Sequence, residues 1–123
     1  MKILVCGGRD FADLPYLTEI MNKVDAAYCV ELVIHGDAEG ADRLSGQWAD
    51  SKEVPVSKYP ADWAAIGRAA GPIRNQLMLD EGKPHAVVAF PGGRGTQDMC
   101  DRAQKAGVQV WPVPIKNPGL TQK

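Results

Sequence analysis

The chain has no apolar run approaching the roughly 18 residues that a membrane-spanning helix needs. Its start, "MKILVCGGRD", lacks the long apolar region and small-residue cleavage site of a secretory signal. A cytoplasmic protein is the expectation. Metal-ligating residues are scarce: Cys6, Cys29 and Cys100 show no CxxC spacing, and the two histidines, His35 and His85, stand apart, so no structural metal is expected. An excess of positive charge is missing too. A formal net charge of -1 does not supply the cationic surface that phosphate-backbone affinity requires, which argues against extended nucleic acid as a partner.

What is present is an ordinary globular composition, 45% hydrophobic and 24% charged. The 123 residues suffice for one domain with a real core and not for two. "KILVC" reads as a buried strand stopped by the glycine turn "GGRD". A helix is predicted over 13–27, with Leu14, Leu17, Ile20, Met21 and Val24 recurring at spacings of three and four. "VELVIH" is a second strand, stopped in "GDAEGAD", and 41–51 a second helix with Ala41, Leu44 and Trp48 inward. "VPVSKY" is a weaker third strand, where Pro55 suggests an edge or a strand start.

Residues 60–72 read as a loop holding one helical turn. A helix follows from Ile73 to Glu81, with Ile73, Leu77 and Met78 inward and Gly82 as a left-handed cap. "HAVVAF" is the fourth strand. The next helix begins near Thr96 and groups Met99, Cys100, Ala103 and Ala106 on one side before Gly107; "VQVWPV" is the fifth strand. Residues 1–115 thus form the domain and 116–123 a polar tail. Alternating strands and helices predict an α/β fold, a Rossmann-like doubly wound parallel sheet of about five strands. In the commonest strand order the first and fourth strands are neighbours, and the glycine loops after them meet at the crevice where such sheets bind ligands.

The loop after strand four, "FPGGRGTQDM", combines Pro91, Gly92, Gly93, Arg94, Gly95 and Thr96 with a helix start. Glycines let backbone approach a ligand, and the helix presents unpaired N–H groups and a positive dipole end, which suits phosphate. The loop lacks the GK[ST] of a nucleotide-triphosphate P-loop, and Asp98 stands where a GxGxxG fingerprint has its last glycine. The alternative is that these glycines only turn the chain. The other loops contribute Gly7, Gly8, Arg9 and Asp10, then Gly36, Asp37, Glu39, Gly40, Ala41, Asp42 and Arg43.

Of the six arginines, Arg9, Arg43, Arg68, Arg74 and Arg94 lie in or just after loops leaving strands one to four, and a planar guanidinium fork suits phosphate oxygens or stacking on a base. The alternative is that Arg43 and Arg94 simply pair with Asp37, Asp42 or Asp98, and Asp98 stands four residues before Arg102. The carboxylates suit ribose hydroxyls or activation of a water, or else capping. Trp63 is placed to stack on a base. Cys6 and Cys100 read as small buried hydrophobes.

"KILVCGGRDF", "VIHGDAEGADRLSGQWA", "YPADW", "GRAAGPIRNQLML" and "AFPGGRGTQDM" together resemble the YspA-type, cpYpsA-related branch of the SLOG superfamily over residues 1–113. The resemblance implies a Rossmann-like domain that binds a nucleotide or an NAD- or ADP-ribose-derived ligand, as a sensor or as a phage protein that sequesters a signal. It also implies a homodimer or higher homo-oligomer. SLOG relatives include LOG phosphoribohydrolases, whose signature is PGGxGTxxE with an arginine at the start of the preceding helix. Arg74, beside Asn75, matches that arginine, and Pro91, Gly92, Gly93, Gly95 and Thr96 match the loop, but Met99 holds the glutamate position. The resemblance therefore favours binding over hydrolysis, since a carboxylate that stabilises an oxocarbenium-like transition state is absent there.

The ligand-binding expectation comprises Gly7, Gly8, Arg9, Asp10, Gly36, Asp37, Gly40, Ala41, Asp42, Arg43, Trp63, Arg68, Arg74, Asn75 and the run Pro91 to Thr96. Phosphate falls on the loop with Arg94 and Arg74, ribose on Asp37 or Asp42, and a base near Trp63. No cofactor is expected. The rivals are an N-glycosidase on nucleoside monophosphates, with Arg74 and Asp98 catalytic and Asp98 or Asp42 standing in for the missing glutamate, and an interaction module that keeps the fold without the pocket.

Overall fold

Short runs of β-branched and aliphatic residues build β1 (Lys2–Cys6), β2 (Leu32–His35) and β4 (Ala86–Ala89), the central strands of one sheet. β3 (Val56–Lys58) and β5 (Gln109–Pro112) form the edges, where polar residues and Pro112 are tolerated because one side of the ladder is open. The computed structural model describes residues 1–115; the polar tail read over 116–123 lies outside them. Strand order is β3-β2-β1-β4-β5, and every pairing is parallel, with Ile3 beside both Val33 and Ala86. The expected neighbours, β1 and β4, are paired from Ile3–Ala86 to Cys6–Ala89.

A period of two divides the strands between two layers. Ile3, Val5, Val33 and Val88 pack with Leu17, Met21, Trp48 and Ala49, under α1 (Leu14–Tyr28) and α2 (Ala41–Ser51). Leu4, Cys6, Ile34 and Val87 face the other way, onto Met78, Leu79, Met99 and Ala103 of α4 (Ala70–Gly82) and α5 (Arg94–Lys105). Between β3 and α4 lie a one-turn α3 (Trp63–Ile66) and a 3-10 turn over Gly67–Ala69. Asp13 and Asp62 cap α1 and α3 by accepting the Tyr16 and Ala65 amides at 3.0 and 3.1 Å.

The stretch from 60 to 82 departs most from the expectation. α4 starts at Ala70, not Ile73, because Pro72 falls within the first helical turn, where its missing N–H costs nothing. Advancing 100° per residue, that helix turns Gly71, Asn75, Met78 and Gly82 inward, and it leaves Ile73 51% and Leu77 40% exposed rather than buried. Gly82 is no cap: Lys83 adopts the left-handed conformation at φ 48°. Gly82 is instead a close-packing position, since an added Cβ would come within 3.0 Å of Ile34 Cδ1. α5 likewise begins two residues early, at Arg94, and Ala106 at its end is exposed.

Candidate functional site

The chain leaves β1 toward β2 and β3 on one side, then returns to place β4 on the other, so a crevice opens beyond the carboxyl ends of β1 and β4. Three loops close upon it and are bonded to one another. The Gly8 amide donates to the Pro91 carbonyl at 2.8 Å, and the Ala41 amide to the Gly8 carbonyl at 3.3 Å. Glycine is required where they touch. A Cβ on Gly40, whose φ is +82°, would strike the Gly8 carbonyl, and one on Gly92 would meet Thr96 Oγ1 and lie 2.6 Å from the Gly8 nitrogen.

These contacts border a cavity of about 940 Å³. From the β1 loop it is lined by Gly7, Gly8 and Arg9, with Cys6 beneath; from the β2 loop and α2 by Gly36, Asp37, Ala38, Glu39, Asp42 and Arg43. Trp63, Arg68, Arg74 and Asn75 line it from the α3–α4 side, and Gly93, Arg94, Gly95, Thr96 and Asp98 from the β4 side. All five arginines singled out in the sequence therefore reach one cavity. Gly40, Ala41, Pro91 and Gly92 join the loops without lining it, and Asp10 is exposed beside it. Gly71, Pro72 and Met78 line it unanticipated, because the early start of α4 was not legible behind Pro72.

The cationic groups divide into free and engaged. Arg9, Arg68 and Arg94 are exposed and form no ion pair with a described residue, while Arg43 Nε lies 3.6 Å from Asp37 Oδ1. Arg74 is held inside: Nη1 donates to the Gly36 carbonyl at 2.6 Å and to the Tyr59 carbonyl at 3.5 Å, and Nε to Asn75 Oδ1 at 3.0 Å. Burial lowers its pKa from the ordinary arginine value, opposed by the attraction of Asp42. A side chain at Gly36 would displace the Arg74 guanidinium from its present position, since a Cβ there would overlap it.

Asn75, 4% exposed, ties the glycine loop to α4 by donating to the Gly95 carbonyl at 3.2 Å and to Asp98 Oδ2 at 3.0 Å. The same carboxylate oxygen accepts from Arg102 Nε at 2.9 Å, so Asp98 does form the helical pair that its spacing suggested. Met99, at the position where the LOG pattern has glutamate, is buried against the sheet. The α5 N-terminus, capped by no side chain at Gly93, faces the cavity. A Cβ on Gly93 or Gly95 would meet nothing within 4 Å. Unlike Gly40 and Gly92, these two glycines serve no packing contact.

On the β2 side Asp42 and His35 are buried. Asp42 Oδ2 accepts the Gly36 and Ala38 amides at 3.1 and 3.3 Å, and burial raises its pKa from 3.8 to about 6 against those bonds and Arg74. His35 Nδ1 accepts the Asp37 amide at 2.9 Å, and burial lowers its pKa to about 4, so the ring is neutral near pH 7. His35, isolated in sequence, thus shapes the Asp37 turn, whose φ is +57°. Cys6 and Cys100 form no disulfide; Cys6 is buried as expected, whereas Cys100 is only half-buried against the same cluster. Trp63 stands at the rim, 55% exposed, its ring against Gly71. Among the described residues no helix is long and apolar enough to cross a membrane, and no three His, Cys, Asp or Glu side chains gather around a possible metal ion.

The family model described as YspA, cpYpsA-related SLOG matches residues 1–65. The Gene 61 protein of Mycobacterium phage D29 is 32% identical over 117 residues, covering 89% of this chain and 93% of the relative. Among solved structures, DNA processing protein A (DprA) from Streptococcus pneumoniae superposes with a TM-score of 0.73 at 17% identity, over 95% of this chain. The match spans about half of DprA, 51% of that chain, and at this identity it shows a shared fold.

Proposed function

The chain belongs to the YspA, cpYpsA-related SLOG family, and we propose that it binds a phosphorylated, nucleotide-derived small molecule in the cavity at the β1–β4 crevice. The observation that carries this reading is the pairing of unsatisfied donors with unfilled space. Among the described residues Arg9, Arg68 and Arg94 have no acidic partner, the first-turn amides of α5 have no side-chain cap, and Gly93 and Gly95 are small where packing makes no demand. Phosphate on the 93–96 amides and Arg94 satisfies these groups together. The half-exposed Trp63 offers a face for a base. Reversible capture, as a sensor or a sequestering protein, fits a site whose acidic side chains are largely held by their neighbours. Extended nucleic acid is not part of the reading, because the chain carries a net charge of -1.

Isothermal calorimetry against AMP, NAD, ADP-ribose and cyclic dinucleotides tests it. Saturable binding to at least one, weakened about tenfold or more in Arg94→Ala, is the expected result; no heat from the whole panel overturns it. A second reading, N-glycosidic cleavage, draws on Asp98 bordering the cavity close to Arg74. Chromatography decides it: release of free base, abolished in Asp98→Asn or Arg74→Ala, supports cleavage, and an intact ligand removes it. The family resemblance also carries the expectation of a homodimer, and the outward Ile73 and Leu77 of α4 are the apolar pair we assign to it. Sedimentation equilibrium tests the assignment, with Leu77→Ser expected to shift a dimer toward monomer.

A further inference from the structure

Binding of an anion leaves Asp42 unexplained. A carboxylate only 6% exposed, in the wall of a phosphate site, repels the ligand unless it serves another part of it. One oxygen, Oδ2, is occupied by the Gly36 and Ala38 amides. The other accepts from no described residue. Since no buried side-chain oxygen or nitrogen among the described residues is left without a partner, that oxygen is open to solvent, and the side of Asp42 that is open borders the cavity. The same accounting applies to Arg74. Its Nε and Nη1 serve Asn75, Gly36 and Tyr59, and Nη2 donates to no described residue, so Nη2 is likewise open to solvent on a side chain that lines the cavity.

Asp42 accepts the Gly36 amide and Arg74 donates to the Gly36 carbonyl, so an acceptor and a donor are presented on either side of one residue without a direct ion pair. A phosphate oxygen only accepts and is repelled by Asp42; an ammonium only donates and is repelled by Arg74. A hydroxyl does both, and a vicinal diol does so twice. Asp37 is less suited, being engaged by Arg43, and Glu39 lies at the exposed rim. We propose that Asp42 is a specificity-determining residue, its free oxygen accepting a ribose hydroxyl while Arg74 Nη2 donates to the same sugar, so that the cavity selects 5′-phosphorylated ribonucleosides over their deoxy forms. The inference rests on the nucleotide reading above. A buried carboxylate whose ionisation is opposed by its surroundings is a cost to the fold, and such costs are retained where a ligand uses the group.

The test is calorimetry with AMP, 2′-deoxy-AMP and 3′-deoxy-AMP on the wild type and on Asp42→Asn. The asparagine carbonyl keeps the Gly36 and Ala38 bonds and turns an NH2 toward the ligand, replacing acceptor by donor. Wild type should prefer AMP over at least one deoxy analogue by about 10- to 100-fold, as for a hydrogen bond to a charged group. Asp42→Asn should lose most of that preference while melting no lower than wild type at pH 7.5, which separates a lost contact from a lost fold. Equal affinity of wild type for all three nucleotides overturns the inference, as does an unchanged preference in Asp42→Asn or failure of AMP to bind. The nucleotide reading falls separately, only if the wider panel containing NAD and ADP-ribose also gives no binding. If that panel binds and weakens in Arg94→Ala while Asp42→Asn changes nothing, the reading stands and this inference alone is lost.

Discussion

The two walls of the cavity are built on opposite principles. On the β1–β4 wall, Arg9 and Arg94 have no acidic partner among the described residues, the α5 amides have no side-chain cap, and a Cβ on Gly93 or Gly95 would meet open space. On the β2–α4 wall, the exposed Glu39 and Arg68 apart, each polar side chain is held by a neighbour through at least one atom: Arg74 by two carbonyls and Asn75, Asp42 by two amides, Asp37 by Arg43, and His35 by the Asp37 amide. Unsatisfied groups supply affinity for something not yet there, whereas satisfied ones hold geometry. The first wall is therefore where a charged ligand gains energy, and the second is where its shape is checked.

The sharpest way to break this contrast is through the glycines. Gly40→Ala and Gly92→Ala each force a Cβ into backbone of a neighbouring loop and should destabilise by about 3 kcal/mol or more, read by chemical denaturation. Gly93→Ala and Gly95→Ala meet open space and should unfold within about 1 kcal/mol of wild type, yet lose ligand affinity in calorimetry. Comparable destabilisation by both pairs would erase the distinction between the walls.

A smaller effect is expected at Asn75, which bridges them. Asn75→Ala strips buried partners from Arg74 Nε, Asp98 and the Gly95 carbonyl, and should cost about 1–3 kcal/mol while loosening the glycine loop. Hydrogen exchange at the 93–97 amides would register that loosening. Unaltered exchange with unaltered stability would show that the loop is braced from elsewhere.

The pH profile sharpens the second wall. Asp42 has a folded pKa raised from 3.8 to about 6, so its contribution to stability is full below 3.8 and is lost as pH rises through 6. His35 has a folded pKa lowered from 6.5 to about 4, so its contribution is full above 6.5 and is lost as pH falls through 4. The two slopes oppose each other between about pH 4 and 6.5 and leave a shallow profile. In Asp42→Asn only the His35 slope remains, and denaturation midpoints should climb with pH across that window. A midpoint that stays flat or falls would overturn the assignment. The smallest effect is at the surface: Ile73→Ser should change monomer stability by no more than about 0.5 kcal/mol, since that side chain is half exposed.

Local patterning carried most of the architecture. β1 and α2 begin and end where glycine turns and helical spacing place them, and the parallel order with β1 beside β4 follows from alternating elements and right-handed crossovers. The convergence of the loops at the carboxyl edge was legible for the same reason. Around α4 this reasoning failed, because Pro72 looks the same in sequence whether it precedes a helix or sits in its first turn, and Ile73 and Leu77 look like core.

Composition and periodicity by themselves determined the fold class, the sheet order and the gathering of five arginines at one edge, because each depends on short-range spacing and chain handedness. Only the tertiary structure decided which of those arginines are free among the described residues, that Asp42 is buried at the cavity with one oxygen held by two amides, and that some glycines hold the loops together while others leave space. These depend on contacts such as Arg74 with Gly36, 38 residues apart in the chain, and on solvent exclusion, neither of which leaves a periodic mark in the residues that make them.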